Sequence, residues 1–413
     1  MNLNDELKIA LDNLNPWWQD VNYRYGVKPR SSYEKHLNIK SNIIDVLIGA
    51  RRVGKTSIMK NIINQLLDLK VDCHQIVYFV SDARVSQDII PEDIVNIVRS
   101  IFKISLNKKI YLFLDKVQDM PDWQRSVKYL YDNSNIKIYV TGSSSLILRS
   151  ETSKLTGRFI LHEILGLSFR EYLEFTNQKI FKTQSKNNQL VSEYLQIGGY
   201  PEYVLNRDKQ ALSNIIESTL YRDLISQYRI RNPSFLKDLL DYLADKVTNC
   251  VSNQNIARDL KVNDDTAKFY LKYLQDVYLI YPVYHKGKSN KISKSSIPKY
   301  YFNDTGVLNL RSLSPKIGLL AENAAYLHLR RKTFSKEYSD IFYNEINGVE
   351  VDFDNRQEDL TEIKFRDDIV KEDIQKYQAI DKRILFVVKN KSEILSNILP
   401  MHSKITLDQY LLK

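Results

Sequence analysis

Long apolar runs are absent from this chain of 413 residues. Nothing approaches the roughly 18 uninterrupted apolar residues of a membrane-spanning helix, so no span is expected. A secretory leader is lacking as well. The N-terminal stretch MNLNDELKIALDNLNPWW carries acids where a leader carries bases, and it has no apolar core. Cysteine is scarce: Cys73 and Cys250 stand far apart and read as two buried free thiols, which suits a reducing, cytoplasmic compartment. The six histidines show no metal-ligand spacing, the 27 tyrosines make no regular stacking platform, and there is no internal repeat or low-complexity tract. A strong charge bias is missing too. The net charge of +10, with a pI near 9.1, permits contact with nucleic acid without establishing it.

What is present is an ordinary folded composition, 43% hydrophobic and 27% charged. The chain is too long for one core, and on the order of two or three domains are expected. ELKIALDNL spaces its apolar residues three and four apart, a helical lead-in. Trp17 and Trp18, after Pro16, are expected to pack that lead-in onto the core that follows. From residue 43 to about 165, the apolar runs IIDVLIG, QIVYFV, IYLFL, KIYVTG and RFILHEI alternate with helical periodicity. Such alternation implies a parallel sheet covered by helices. Residues 167–240 are mostly helix-patterned, with a break at GGYPEY; residues 250–300 read as a small helical unit closed by a hairpin; strands and helices follow.

The most specific signal lies in IIDVLIGARRVGKTSIMKNIINQLL, residues 43–67: a strand, then Gly49-x-x-x-x-Gly54-Lys55-Thr56, then an amphipathic helix. The glycines let backbone N–H groups curl around a phosphate, and the helix N-terminus adds partial positive charge there. Lys55 can reach the β- and γ-phosphates, and the Thr56 hydroxyl can ligate Mg²⁺. Val53 and Ser57 belong to the same cradle, while Arg51 and Arg52 either touch phosphate or are solvated. Asp115, ending the run IYLFLD, is placed to hold the same Mg²⁺. In VTGSSS, Thr141 or Ser143 can sense the γ-phosphate, or simply cap the strand end. Arg158 in LTGRF is a candidate arginine finger, acting in cis or from a neighbouring subunit.

With GARRVGKT, LFLDKVQ, VTGSSSLIL, LTGRFILHEILGLSFREYL, GGYPEYV and YFNDTGVLN in this order, most of the chain resembles the AAA-type, STAND-related ATPases of archaea and bacteria. The resemblance implies ATP and Mg²⁺ bound by Gly54, Lys55, Thr56 and Asp115. The implied fold class is α/β: a P-loop AAA-type ATPase core over 41–175, preceded by the helical lead-in over 1–40. A helical extension over 176–240, a winged helix over 241–310 and a restriction-endonuclease-like α/β domain over 311–413 follow. Where the family's pattern reads Asp-Glu, this chain reads Asp115-Lys116. The glutamate orients and deprotonates the attacking water, and an ammonium cannot accept that proton. Hydrolysis is therefore very slow, or Asp119 or Asp122 substitutes, or the lysine is particular to this copy and traps a bound state.

VSNQNIARDLKVNDDTAKFYLKYLQDVYLIYPVY, residues 251–284, reads as two short helices around a turn and then a strand. Ile256, Leu260 and Val262 are expected to pack against Phe269, Leu271 and Leu274, with Asp264 capping the second helix. In a helix-turn-helix that helix presents Lys268 or Lys272 to the major groove. The lysine-rich stretch 285–299, with Lys288 and Lys291, then serves as a wing on the phosphate backbone, or as a plain solvated loop.

Residues 344–368, NEINGVEVDFDNRQEDLTEIKFRDD, place Glu362 ten residues after Asp352 and Lys364 two further on. A period of two puts Glu362 and Lys364 on one face. Two carboxylates can share a divalent ion while the lysine steadies an attacking water or the developing charge. The spacing VDF…TEIKF resembles the PD-(D/E)XK nuclease superfamily, with Glu322 on the preceding helix as a further ligand. Glu350 is either another ligand or a surface acid. The expected partners are DNA, and a partner protein or second copy of the chain, with no membrane. The rival expectation is a STAND-like nucleotide switch whose tail docks partners and cuts nothing.

Overall fold

A computed structural model describes residues 3–34, 39–81, 89–142, 155, 157–225, 230, 232–287, 296–332, 341–355, 360–367, 369–390 and 402–413. The chain forms two compact units, Met1–Ala50 with Gly54–Ile164, and Arg51–Val53 with Leu165–Lys413. Among the described residues no helix is long and apolar enough to cross a membrane.

The first unit is built on strands β1 (Ile44–Ile48), β2 (Ile76–Val80), β3 (Ile110–Asp115), β4 (Ile136–Thr141) and β5 (Phe159–Glu163). All pair in parallel, in the order β2-β3-β4-β1-β5. These are the five apolar runs of the sequence. β1 and β4 are buried at every position, as strands covered on both faces should be. Helices Lys55–Asp68, Pro91–Phe102 and Trp123–Asn133 alternate with the strands. The second of these starts with Pro91 at its first position, and the Asp93 side chain accepts the Ile90 N–H at 3.1 Å. β2 is an edge strand whose backbone the lead-in covers. Asn15 exchanges hydrogen bonds with the Tyr78 backbone, and the Trp17 and Trp18 indoles both donate to Ile76 O, at 3.1 and 3.0 Å. The lead-in thus satisfies an edge that would otherwise recruit another chain.

Inside this sheet sits a buried charge cluster. Asp45 on β1 forms an ion pair with Lys137 on β4 at 2.5 Å and faces His162 Nε2 on β5 at 2.6 Å, and all three side chains are at most 3% exposed. Burial holds the Lys137 ammonium below its ordinary range, against the opposing pull of Asp45.

The second unit carries helices Phe169–Thr176, Gln184–Ile197 and Pro233–Asp245, then Asn253–Asp259 and Asp264–Asp276. It also holds β6 (Ile280–His285), β7 (Lys299–Phe302), β8 (Phe342–Ile346), β9 (Val349–Asp354), β10 (Leu360–Lys364), β11 (Ile384–Val388) and β12 (Ser403–Thr406). One sheet contains all seven, in the order β12-β11-β10-β9-β8-β6-β7. The hairpin β6–β7 therefore shares a sheet with the strands that follow it. β6 pairs antiparallel with β7 along Ile280–Val283 and parallel with β8 at Tyr284 and His285, so its final residues join the hairpin to the tail strands.

Several expectations change here. Asn263, not Asp264, caps the helix Asp264–Asp276, accepting the Thr266 N–H at 2.7 Å. Phe269 is 56% exposed, because Ala267, Tyr270, Leu271 and Leu274 fill that helix's inward face. The thiols are both free, but Cys250 is exposed and Cys73 half-buried.

The motifs GGYPEY and NDTG, over a hundred residues apart in sequence, meet at Asp304. Its Oδ2 accepts Gly199 N–H at 2.6 Å, and its Oδ1 accepts Gly306 and Val307 N–H at 2.8 and 3.2 Å. Burial outweighs these bonds and pushes the carboxyl up to about 6. The folded state therefore binds a proton more readily than the unfolded chain, and this group's contribution to stability falls as pH rises from about 4 to about 6. Asp304→Asn removes that dependence. Its cost in a denaturant titration should be largest near pH 4 and shrink toward pH 7, and a cost that grows with pH would contradict this.

Candidate functional site

Gly49 ends β1 with φ 134°, and a Cβ there would lie 2.2 Å from Ile164 O, so only glycine fits. Gly54, at φ 102°, precedes the helix Lys55–Asp68 and leaves its first N–H groups without a side-chain cap. Lys55 Nζ donates to Gly49 O and Ala50 O, both at 2.8 Å, folding the ammonium back over the loop. Val53 is buried. Arg52 takes the left-handed region at φ 58°, and its guanidinium pairs with Glu202 at 2.7 Å within the second unit.

β4 lies between β1 and β3, and this order decides the rest of the site. It sets Thr141 opposite Leu47 of the phosphate-loop strand while β3 brings Asp115 alongside. Asp115 is 2% exposed and gathers three hydroxyls: Thr56 at 2.7 Å and Tyr78 at 2.9 Å on Oδ2, and Thr141 on Oδ1. Thr56 and Asp115, the two groups chosen for Mg²⁺, are thus already adjacent, and their hard oxygens suit that ion. Tyr78 gave no sequence signal beyond its place in an apolar strand.

Lys116 occupies the left-handed region at φ 60°, and its N–H donates to Thr141 Oγ1 at 3.1 Å. Asp119 and Asp122 are both exposed, and Asp122 lies 3.6 Å from Arg125. Arg158 also departs from expectation. It precedes β5, at the end of the parallel sheet opposite the phosphate loop, with its carbonyl bonded to Ile44 N–H. A five-residue strand separates the two ends by about 15 Å. The guanidinium grips Asp132 with two bonds, at 2.8 and 3.2 Å. An arginine finger in cis is excluded by that placement. Ser143 lies outside the described residues, as do Lys288 and Lys291. Lys268 and Lys272 are exposed on the helix Asp264–Asp276.

The tail brings its acids to one place. Asp352 on β9 and Glu362 on β10 hold each other's strands: Glu362 Oε2 accepts Asp352 N–H at 3.1 Å, and Asp352 Oδ2 accepts Ile363 N–H at 2.8 Å. Lys364 pairs with Glu362 Oε1, which also accepts the Tyr377 hydroxyl at 2.6 Å. Glu322, from the helix Ile317–Lys332, accepts the Tyr301 hydroxyl at 2.7 Å. Burial and then the charges of Glu322 and Glu362 push the Asp352 carboxyl well up, and Glu322 is pushed up to about 7, first by burial. The charges of Glu362 and Asp352 overcome burial and keep the Lys364 ammonium firmly protonated. Hard carboxylate oxygens are the ligand type that a divalent cation takes. The cage is not closed, however: no single set of oxygens from Glu322, Asp352 and Glu362 lies mutually within 4.8 Å. Glu350 is half-exposed and paired with Lys299.

A cleft of about 470 Å³ opens beside this cluster, lined by Glu322, Lys364, Arg366, Glu372 and Lys376 among others, while Glu362 is 2% exposed and not part of its lining. The two outer cations were missed in the sequence, where they stand in mixed-charge stretches like any surface residue.

The phosphate loop and the parallel order of the first sheet define a nucleotide-binding ATPase core of AAA type, and residues 41–173 match the AAA domain family. Residues 188–316 match a domain of unknown function, DUF8612. The chain belongs to the family of the uncharacterized protein MJ1544 of Methanocaldococcus jannaschii, with 34% identity over 330 residues, 76% of this chain and 72% of that protein. An uncharacterized protein of Haemophilus influenzae is 27% identical over 341 residues, 77% of this chain and 81% of its own. A crystal structure of a DNA replication initiation factor aligns over 66% of this chain and 86% of its own, at 17% identity and a TM-score of 0.25, too slight a likeness to carry weight.

Proposed function

We propose that this chain is an ATP-binding, DNA-processing protein. Its nucleotide site works with a winged helix that contacts DNA and a tail that cleaves phosphodiesters with a divalent ion. The observation that supports the tail reading is the hydrogen-bonded cluster of Asp352, Glu362 and Lys364, beside a cleft that Glu322 and Lys364 line together with Arg366, Glu372 and Lys376. A divalent ion on the carboxylates supplies charge that offsets the negative charge of the phosphodiester. Lys364, kept protonated, presents a donor to a phosphate oxygen, and Arg366 and Lys376 hold the flanking backbone electrostatically. In the nucleotide site, Lys55 exchanges its bonds to Gly49 O and Ala50 O for phosphate oxygens. Thr56 and Asp115 hold the Mg²⁺ that accompanies ATP. Lys268 and Lys272 are the helix's candidate DNA contacts, although Asp264 and Asp265 beside them oppose phosphate.

Lys116 favours a second reading for the nucleotide half, a switch that binds ATP and hydrolyses it slowly, because an ammonium stands where a glutamate would accept the attacking water's proton. ATP hydrolysis in the wild type and in Lys116→Glu, with and without DNA, separates the two. At least a tenfold faster turnover in the variant, about 1.4 kcal/mol of barrier, identifies Lys116 as a brake on a competent site. Equal rates would assign proton transfer to another group. DNA left intact under all conditions, with Mg²⁺ present, would remove the cleavage reading and leave the switch.

A further inference from the structure

Tyr301 lies on β7, a strand whose sequence context assigns it to the wing and not to the tail. Its ring is fully buried, stacked on Tyr326 with centroids 4.7 Å apart and planes 19° apart, and 5.5 Å from Phe353 of β9. The ring is therefore fixed, and so is its hydroxyl, which donates to Glu322 Oε1 at 2.7 Å. Lys299, two residues earlier, projects from the same strand face. It is 3% exposed and donates to Glu350 Oε1 at 2.6 Å, tying β7 to the acidic strand β9.

We infer that Tyr301 is a positioning residue of the tail's acid site: its hydroxyl fixes the Glu322 carboxylate for a divalent cation, with Lys299 holding β9 in register beside it. The inference rests on the proposed reading of the tail. Glu322 sits on a helix and reaches the cluster through a long side chain that has several rotamers to lose. Because the three carboxylates do not yet converge on one point, cation affinity depends on how much ordering remains when the ion arrives. A hydroxyl carried on a stacked ring has done that ordering for Glu322 beforehand. Groups that orient a metal ligand typically change metal affinity by about ten- to a hundredfold when removed. The hairpin β6–β7 thus contributes to the tail's site, and the site spans more of the chain than VDF…TEIKF.

The test is titration calorimetry of the nucleotide-free full chain with Mn²⁺, on wild type, Asp352→Asn, Tyr301→Phe and Tyr343→Phe. Binding lost in Asp352→Asn belongs to the tail and separates it from the phosphate loop. Tyr301→Phe keeps the stacked ring and should weaken that binding about tenfold or more, with its thermal unfolding midpoint unchanged. Tyr343→Phe is the control, since that hydroxyl donates to the Ile297 carbonyl and not to an acid, and it should bind as wild type. If wild type and Asp352→Asn bind alike, the tail holds no cation, and the tail reading and this inference fall together. If the tail binds Mn²⁺ and Tyr301→Phe matches wild type, only the positioning role is overturned. Equal weakening in both tyrosine variants overturns it too, because loosening of the sheet then suffices.

Discussion

In Asp352→Ala, divalent-ion-dependent cleavage of DNA by the full chain should fall at least about a hundredfold, a barrier increase near 2.7 kcal/mol. The residue has two jobs. In the proposed reading its carboxylate belongs to the cation's donor set, and its Oδ2 holds the Ile363 N–H between Glu362 and Lys364. Alanine removes both at once. Several kcal/mol of transition-state stabilisation rest on such an ion. A structural artefact is separated by Glu345→Gln, an exposed acid on β8 outside the cluster, which should cleave like wild type. Plasmid integrity over time with Mg²⁺ reads the effect, and unchanged cleavage in Asp352→Ala would mean that the tail's acids are not the cutting groups.

Loss of Asp45 is the second large effect. In Asp45→Ala the ammonium of Lys137 stays 1% exposed in the middle of the first sheet without its carboxylate. Removing one partner of a buried pair typically costs about 3–5 kcal/mol, because the other charge is left without compensation. The loss should appear as a lower denaturation midpoint for the first unit and as faster amide exchange in β1, β4 and β5. The double change Asp45→Ala with Lys137→Met leaves no buried ammonium behind. It should therefore recover much of the stability lost in the single variant, a non-additivity that marks direct coupling. A single variant as stable as wild type would show that water reaches Lys137. Nucleotide must be absent throughout, since a ligand of the folded state shifts the midpoint by mass action.

How legible was this protein? The five strands of the first unit and the glycines of the phosphate loop follow from local pattern alone. A strand buried on both faces must be apolar throughout, and a loop that wraps phosphate must use residues free to take positive φ. The placement of Asp352, Glu362 and Lys364 was legible for a similar reason, since the period of two along a strand is a local property. Errors arose where burial depends on distant partners. Phe269 satisfied the helical spacing, but the inward face was already filled by its neighbours. Cys250 had no local feature to mark it as exposed.

By itself the sequence determined the phosphate loop, the strand-borne Asp115 and the tail's acid-and-lysine spacing, because each is a short-range pattern set by backbone geometry. Only the tertiary structure decided which strands lie side by side. The order β2-β3-β4-β1-β5 puts Thr141 against Asp115 and sends Arg158 to the far end of the sheet. The pairing of β6 with β8 carries Tyr301 and Lys299 into the tail. Strand order is a long-range choice, made by which edges and faces can be buried together, and no window of neighbouring residues contains it.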